Sequence, residues 1–318
     1  ADYPGSALKV ATNTSGSWTV QSVDADAAVW VDSSDAVVDA NGKLWVAYRD
    51  WNNDELKVAN NVEGTWASET IVVEVGLTPS IAIDLAGEPW VSYVDQSGLS
   101  VEIANKTTSS WVSETAISEA ATRPSLDFDP EGHAWISVQG DSGQGLKVAT
   151  NATGSWVTET ADWTSYAGTN SSLLMDLNGA AWIAHLNADN EVRLTSNAGG
   201  YWTSEVIDSN TSLGYTTLSL DENNKPWVAY VDLTSGSLKV ATRKSGTWAK
   251  EVVESSGRKG LYPSIALDGA DKPWIVYLDD AMESLVLAAP VDGRWTEETA
   301  FSVSNTGTNM SFAVDGDG

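Results

Sequence analysis

Two histidines and no cysteine stand among the 318 residues, so the inventory for covalent and acid–base chemistry is short. Without cysteine there is no disulfide, no thiolate metal site and no thiol nucleophile. His185 occupies a place that other stretches of the chain fill with Tyr48, Tyr93, Tyr230 and Tyr277. As a general base it would need an oriented partner and an open substrate site. As a substituted packing position it needs neither, and that is the reading adopted. His133 falls in a different class of turn, so the two histidines share no site. The chain carries no His-Glu-x-x-His, no nucleophile elbow and no phosphate-cradling glycine loop.

The residues with chemistry to offer are aromatic and polar groups in loops. Trp30, Trp51 and Trp163 stand outside any repeating pattern, and Tyr166 shares a loop with Trp163. A second set, Ser33, Thr78, Arg123, Asn170, Tyr215, Tyr262 and Asn309, recurs at one position before a strand and changes type at every recurrence. Variation on a repeating frame is what a binding surface on a rigid scaffold shows. Exposed aromatics beside polar side chains suit stacking on sugar rings or anchoring a protein partner. The predicted ligand-binding residues are Trp30, Trp51, Arg123, Trp163, Tyr166, Tyr215 and Tyr262.

Aspartate recurs at Asp39, Asp84, Asp129, Asp176, Asp221, Asp268 and Asp315, mostly as Asp-x-x-Gly. Calcium binding by these acidic loops is one reading. The preferred one is that each aspartate closes its own tight turn through backbone N–H groups. Six Asn-x-Ser/Thr sequons, at Asn13, Asn105, Asn151, Asn170, Asn210 and Asn309, are glycosylation candidates. Asn13, Asn105 and Asn151 are expected at one recurring turn.

Thirteen of the 16 tryptophans fall in two interleaved series with steps of 45 to 48 residues. One runs Trp18, Trp66, Trp111, Trp156, Trp202, Trp248, Trp295; the other runs Trp45, Trp90, Trp135, Trp182, Trp227, Trp274. Each unit holds four short segments rich in β-branched and aromatic residues, punctuated by Gly, Asn and Asp turns, as in residues 263–301. Antiparallel strands joined by hairpins have that signature. Four strands per unit of this length, repeated, predict a seven-bladed β-propeller of four-stranded antiparallel blades. The blades are expected at about 35–73, 79–117, 124–161, 171–208, 216–253 and 263–301, with the seventh made of 310–318 and 7–23 in a single domain, 1–318. The chain's two ends thus close the ring within one blade, which is short of one strand. The expectation is that the polypeptide continues past Gly318, or that another molecule adds the strand. With strands labelled a to d outward from the axis, b–c and d–a loops share one rim, which holds the predicted ligand residues. His133 and the aspartate turns face the other rim.

Forty-four acidic against 17 basic residues leave a net charge of −27, which argues against nucleic acid as a partner. No run of 18 apolar residues exists to span a bilayer. Ala1 opens into a polar stretch without the basic and apolar regions of a signal peptide. In strand c a cation recurs at Lys9, Lys57, Lys147, Arg193 and Lys239, and in strand d a carboxylate at Glu69, Glu114, Glu159, Glu205, Glu251 and Glu298. Cross-strand ion pairs within each outer hairpin are expected.

The unit Pro79-Ser80-Ile81-Ala82-Ile83-Asp84 with Pro89-Trp90-Val91-Ser92-Tyr93-Val94-Asp95, and Leu238-Lys239-Val240-Ala241-Thr242 with Gly246-Thr247-Trp248, resembles repeats of secreted and cell-surface β-propeller proteins of bacteria and archaea. The resemblance spans essentially the whole chain. It implies an extracellular propeller, often part of a longer polypeptide, and transfers no catalytic residues. The aspartate turns are similar to the Asp-box of sialidase-type propellers, but carry two residues between Asp and Gly rather than one. The function expected is a non-enzymatic recognition or adhesion module binding glycan or protein at the loop-rich rim. One alternative is a structural subunit of a surface or filamentous assembly, joined through the incomplete blade to copies of itself or further domains. The other is a glycan lyase or hydrolase using His185, Tyr215, Tyr262 or Arg123.

Overall fold

The computed structural model describes residues 8–13, 16–24, 34–73, 77–107, 110–209, 211, 214–255, 259–279, 283–302 and 310–314. They form six four-stranded antiparallel sheets and one two-stranded sheet, in which each strand pairs with its neighbour in sequence. The chain is a seven-bladed β-propeller. Blade 1 comprises Ser34–Val38, Leu44–Asp50, Glu55–Asn60 and Ala67–Val73; blade 2 comprises Leu77–Ile83, Pro89–Val94, Val101–Thr107 and Ser110–Ile117. Blade 3 comprises Ala121–Phe128, Ala134–Gly140, Leu146–Thr150 and Val157–Asp162; blade 4 comprises Thr169–Met175, Ala181–Leu186, Val192–Ser196 and Thr203–Asp208. Blade 5 comprises Thr216–Leu220, Pro226–Asp232, Ser237–Lys244 and Thr247–Glu254; blade 6 comprises Lys259–Leu267, Pro273–Asp279, Ser284–Val291 and Arg294–Ser302. Blade 7 is built from Leu8–Thr12 and Thr19–Asp24 on the outside. Residues 310–314 lie at its inner position.

The core lies between blades. One cluster joins Val101, Ile103 and Ile117 of blade 2 to Leu126, Ile136 and Val138 of blade 3, with Trp90 and Trp156 packed against it. Equivalent clusters join blades 1 and 2, 3 and 4, 4 and 5, 5 and 6, and 7 and 1. Both faces of strand b are therefore apolar: Val46, Ala47 and Tyr48 are all buried. Indoles of both series pack against these clusters.

Three sets of polar contacts fasten this frame. The first is the turn between strands a and b. Asp84 Oδ1 accepts the N–H groups of Ala86 (2.8 Å) and Glu88 (2.9 Å), while Oδ2 accepts the Trp90 indole N–H (2.9 Å). Asp39, Asp129, Asp176 and Asp268 repeat the arrangement with Trp45, Trp135, Trp182 and Trp274. Asp221 keeps the turn bonds, but the buried Trp227 indole nitrogen has no partner. Burial alone would push the Asp268 carboxyl up; the Trp274, Ala270 and Lys272 donors outweigh it and hold the group below its ordinary range.

The second set lines the inner ring, where strand a is a sheet edge with unpaired N–H groups. Ser80, Ser125, Ser172 and Ser264 each accept, through Oγ, an N–H from the next blade, at Leu126, Leu173, Leu218 and Phe312 (3.0 to 3.2 Å). Asp35 takes the same role towards Ile81 at 3.0 Å and accepts the Ser311 hydroxyl at 2.9 Å, which ties residues 310–314 to blade 1.

The third set is at the outer rim and corrects the expected hairpin ion pairs. Lys57 lies opposite Thr70, whereas Glu69 lies opposite Val58. Offset by one residue, cation and glutamate project from opposite faces of the sheet. Four of the five cations instead reach back towards the preceding blade: Lys57 to Asp24 (2.6 Å), Lys147 to Glu119, Arg193 to Asp162 (3.0 Å) and Lys239 to Asp208 (3.4 Å). Arg193 and Lys239 also hold Glu191 and Asp232 of their own blades (both 2.7 Å). The glutamates accept indole N–H groups from the following blade: Trp156 on Glu114, Trp202 on Glu159 (both 2.8 Å), Trp295 on Glu251 (3.3 Å) and Trp18 on Glu298 (3.1 Å). Where a cation, Lys106 or Arg243, occupies the end of strand c, it takes over Glu69 or Glu205. The indole nitrogens of Trp111 and Trp248 are then left without a hydrogen-bond acceptor, though Arg243 lies 5.2 Å over the Trp248 ring.

Candidate functional site: the loop-rich mouth of the channel

Loops b–c and d–a meet on one rim through backbone bonds: Asp141 N–H to Ala120 O (3.1 Å), Ala188 N–H to Ser165 O (2.9 Å), Thr211 N–H to Asn190 O (3.1 Å). At the entrance to strand a, Thr78, Arg123, Asn170 and Tyr262 have φ of 48°, 52°, 49° and 52°. Each sits where the a–b ladder slips register, at Leu77/Ser80, Thr122/Ser125, Thr169/Ser172 and Leu261/Ser264. Bulges of this kind re-aim a side chain. Left-handed backbone is unfavourable for β-branched and bulky residues, and costs on the order of 1–3 kcal/mol per residue. Thr78, Arg123 and Tyr262 also precede prolines, whose rings restrict them further.

From Arg123 onward, mouth residues of blades 3 to 6 form a run of neighbouring contacts. Arg123 Nη1 donates to Asn170 Oδ1. Asn170 Nδ2 donates to Gly214 O at 2.7 Å, and Thr216 Oγ1 donates to Asn170 O at 2.6 Å. Gly214 is required there, because a Cβ would stand 2.4 Å from Val231 O. Next to it, Tyr215 and Tyr262 stack with centroids 4.4 Å apart and planes tilted by 47°. Arg123 is exposed and both tyrosines are half-buried.

The other described candidates do not join this arc. Trp51 is 43% exposed, with the Arg49 guanidinium 3.3 Å over its ring and Asp54 holding that guanidinium at 3.0 Å. Trp163 is 80% exposed. Tyr166, also exposed, lies over Gly143, where a Cβ would come within 3.1 Å of its ring. Trp30, Ser33, Asn210 and Asn309 lie outside the described residues. Among the sequons, Asn13 is exposed in the c–d turn, and Asn151 Oδ1 in the equivalent turn accepts the Ala134 N–H at 2.9 Å. Asn105 corrects the expectation of a shared turn: it lies within strand Val101–Thr107, opposite Trp90 and Val112, because the hairpin continues to the pair Thr107 and Ser110. The bridging role of Asn170 and the support of Arg49 for Trp51 escaped the sequence reading.

His185 is fully buried. Its Nδ1 lies between the Gly168 N–H (3.2 Å) and the Leu186 carbonyl (3.3 Å), and its Nε2 is 2.8 Å from Thr195 Oγ1. Burial pushes its pKa down to about 4 against the pull of Asp162, so the ring is neutral near pH 7. Tyr48 and Tyr230 hold the same inter-blade place by donating to Asp24 (2.6 Å) and Asp208 (2.8 Å). The geometry is that of a packing position. Among the described residues no three of His, Cys, Asp and Glu are grouped to hold a metal ion, and Asp39, Asp84, Asp129, Asp176 and Asp268 spend both oxygens on N–H donors.

No protein-family model and no curated protein matches the sequence. The fold does match solved structures. Aleuria aurantia lectin in complex with Fucα1-6GlcNAc superposes with a TM-score of 0.61 at 14% identity, covering 84% of this chain and 94% of that one. That lectin is described as a six-bladed β-propeller with a novel fucose recognition mode, one blade fewer than here. An ulvan lyase from a polysaccharide lyase family gives a TM-score of 0.61 at 11% identity, covering 85% and 86%. AofleA from Arthrobotrys oligospora gives 0.61 at 12% identity, covering 86% and 87%. At these identities the likeness is one of fold.

Proposed function

We propose that this protein is an extracellular carbohydrate-binding module that takes a glycan at the channel mouth, on Arg123, Asn170, Tyr215 and Tyr262, with Trp51, Trp163 and Tyr166 as flanking stacking surfaces. The observation that carries it is the recurrence of left-handed backbone at one mouth position in four blades, three of them just before proline, with a different side chain in each. Strain of that kind persists where the surrounding structure over-determines it, as at ligand sites. Fold likeness to fucose-binding propellers supports a sugar over a protein as ligand. The buried, neutral His185 favours binding over cleavage.

A glycan array followed by calorimetry tests this. Wild type is expected to bind a defined group of oligosaccharides, and Tyr262→Ala to weaken that binding at least tenfold with the fold intact by circular dichroism. Release of unsaturated or reducing sugar ends would replace the module with an enzyme.

A further inference from the structure

We infer that the mouth selects a glycan segment carrying a single carboxylate, the anion on Arg123 and the adjoining sugar ring against the Tyr215–Tyr262 pair. The inference rests on the glycan-binding reading and adds the charge of the ligand to it.

Among the described arginines, Arg49, Arg193 and Arg243 are each held by a carboxylate of this chain, whereas Arg123 at the mouth and Arg294 beside a c–d turn on the other rim are not. Arg123, equally surrounded by a protein with 44 acidic residues, bonds instead to the neutral amide of Asn170. The carboxylates of the loops around it are committed elsewhere: Glu119 to Lys147, Asp162 to Arg193 and Thr164, and Asp141 to the Ser142 hydroxyl. Among the described residues no carboxylate pairs with Arg123, and its side chain is exposed at the channel mouth. Asn170 occupies one side of the guanidinium and is itself anchored on Gly214 O, so the fork is oriented before a ligand arrives. A planar fork with free N–H groups fits a carboxylate through two parallel bonds. The stacked tyrosines continue the arc from Asn170 and offer an aromatic edge and face to the neighbouring sugar.

The whole-chain charge limits how acidic that ligand is. One guanidinium cannot offset a field of −27 acting on a densely charged polymer. The segment that fits is one acidic sugar flanked by neutral ones, not a polyuronate or polysulfate.

The test is an array of matched oligosaccharides ending in glucuronate, galacturonate or sialate, with their methyl esters, neutral counterparts and polygalacturonate. Affinities of wild type, Arg123→Gln and Tyr262→Ala are then measured by calorimetry. Wild type is expected to bind at least one acidic oligosaccharide tenfold or more tighter than its ester, and tighter than polygalacturonate per binding segment. Arg123→Gln should bring acid and ester to equal affinity, while Tyr262→Ala weakens both and keeps their ratio. Equal binding of acid and ester by wild type, or an acid preference surviving in Arg123→Gln, overturns the carboxylate assignment. In either case Tyr262-dependent binding of neutral sugars would leave the broader reading standing. Absence of binding to every member of the array overturns both.

Discussion

Among single residues, His185 reports most directly on how burial sets chemistry. Its folded pKa of about 4 lies below the ordinary 6.5, so the unfolded chain binds a proton that the folded one refuses. Stability from this residue is present above pH 6.5 and is lost as pH falls towards 4. Asp127 acts in the opposite sense. Burial between inner strands pushes it up to about 6, beyond what the Met175 and Phe128 N–H groups pull back. Its folded form favours the proton, so its contribution is full below pH 4 and fades as pH rises through 6. The two partly cancel in the wild-type curve, and a variant separates them. Between pH 7 and pH 4.5, His185→Tyr is expected to lose about 2–3 kcal/mol less stability than wild type in urea denaturation. Equal losses would show that the ring is not held neutral. The packing role of His185 was legible in the sequence because tyrosine fills the same place elsewhere. The left-handed backbone of Arg123 and Tyr262 was not, since neither residue type advertises a positive φ.

At the level of strands and turns, the aspartate hairpins explain how one residue type can recur throughout without belonging to a binding site. Asp84 satisfies two backbone donors and one indole, so Asp84→Ala strands three N–H groups at once. The expected cost is about 3 kcal/mol by chemical denaturation. Asp221 holds only the two backbone donors, so Asp221→Ala should cost about 1 kcal/mol less. Equal costs would mean the indole bond contributes nothing. The tryptophan period made strands and blades legible, because each wedge between sheets needs a large flat group at the same phase. The partners of Lys57 and Glu69 were not legible in the same way. A cation and a carboxylate in one hairpin look local, yet a single step of register sends them to different neighbouring blades.

For the whole molecule the governing quantity is charge. A net −27 gathered into a compact wheel repels itself, and counter-ions relieve that repulsion over roughly 8 Å at physiological ionic strength. The urea midpoint is therefore expected to rise as sodium chloride increases from 10 to 300 mM. A fall would instead make the inter-blade ion pairs, such as Lys57–Asp24 and Arg193–Asp162, the dominant electrostatic contribution. Among the described residues no helix is long and apolar enough to cross a membrane.

The bond from Trp18 to Glu298 joins positions 280 apart along the chain, and that from Ser311 to Asp35 joins positions 276 apart. A tandem array with free flanks can fray one unit at a time. A circle buckled in this way has no flank to fray from. The hairpin of Leu8–Thr12 and Thr19–Asp24 meets blade 1 as soon as that blade is made, but its other side stays uncovered until Glu298 arrives. Once buckled, the repeats are expected to let go together.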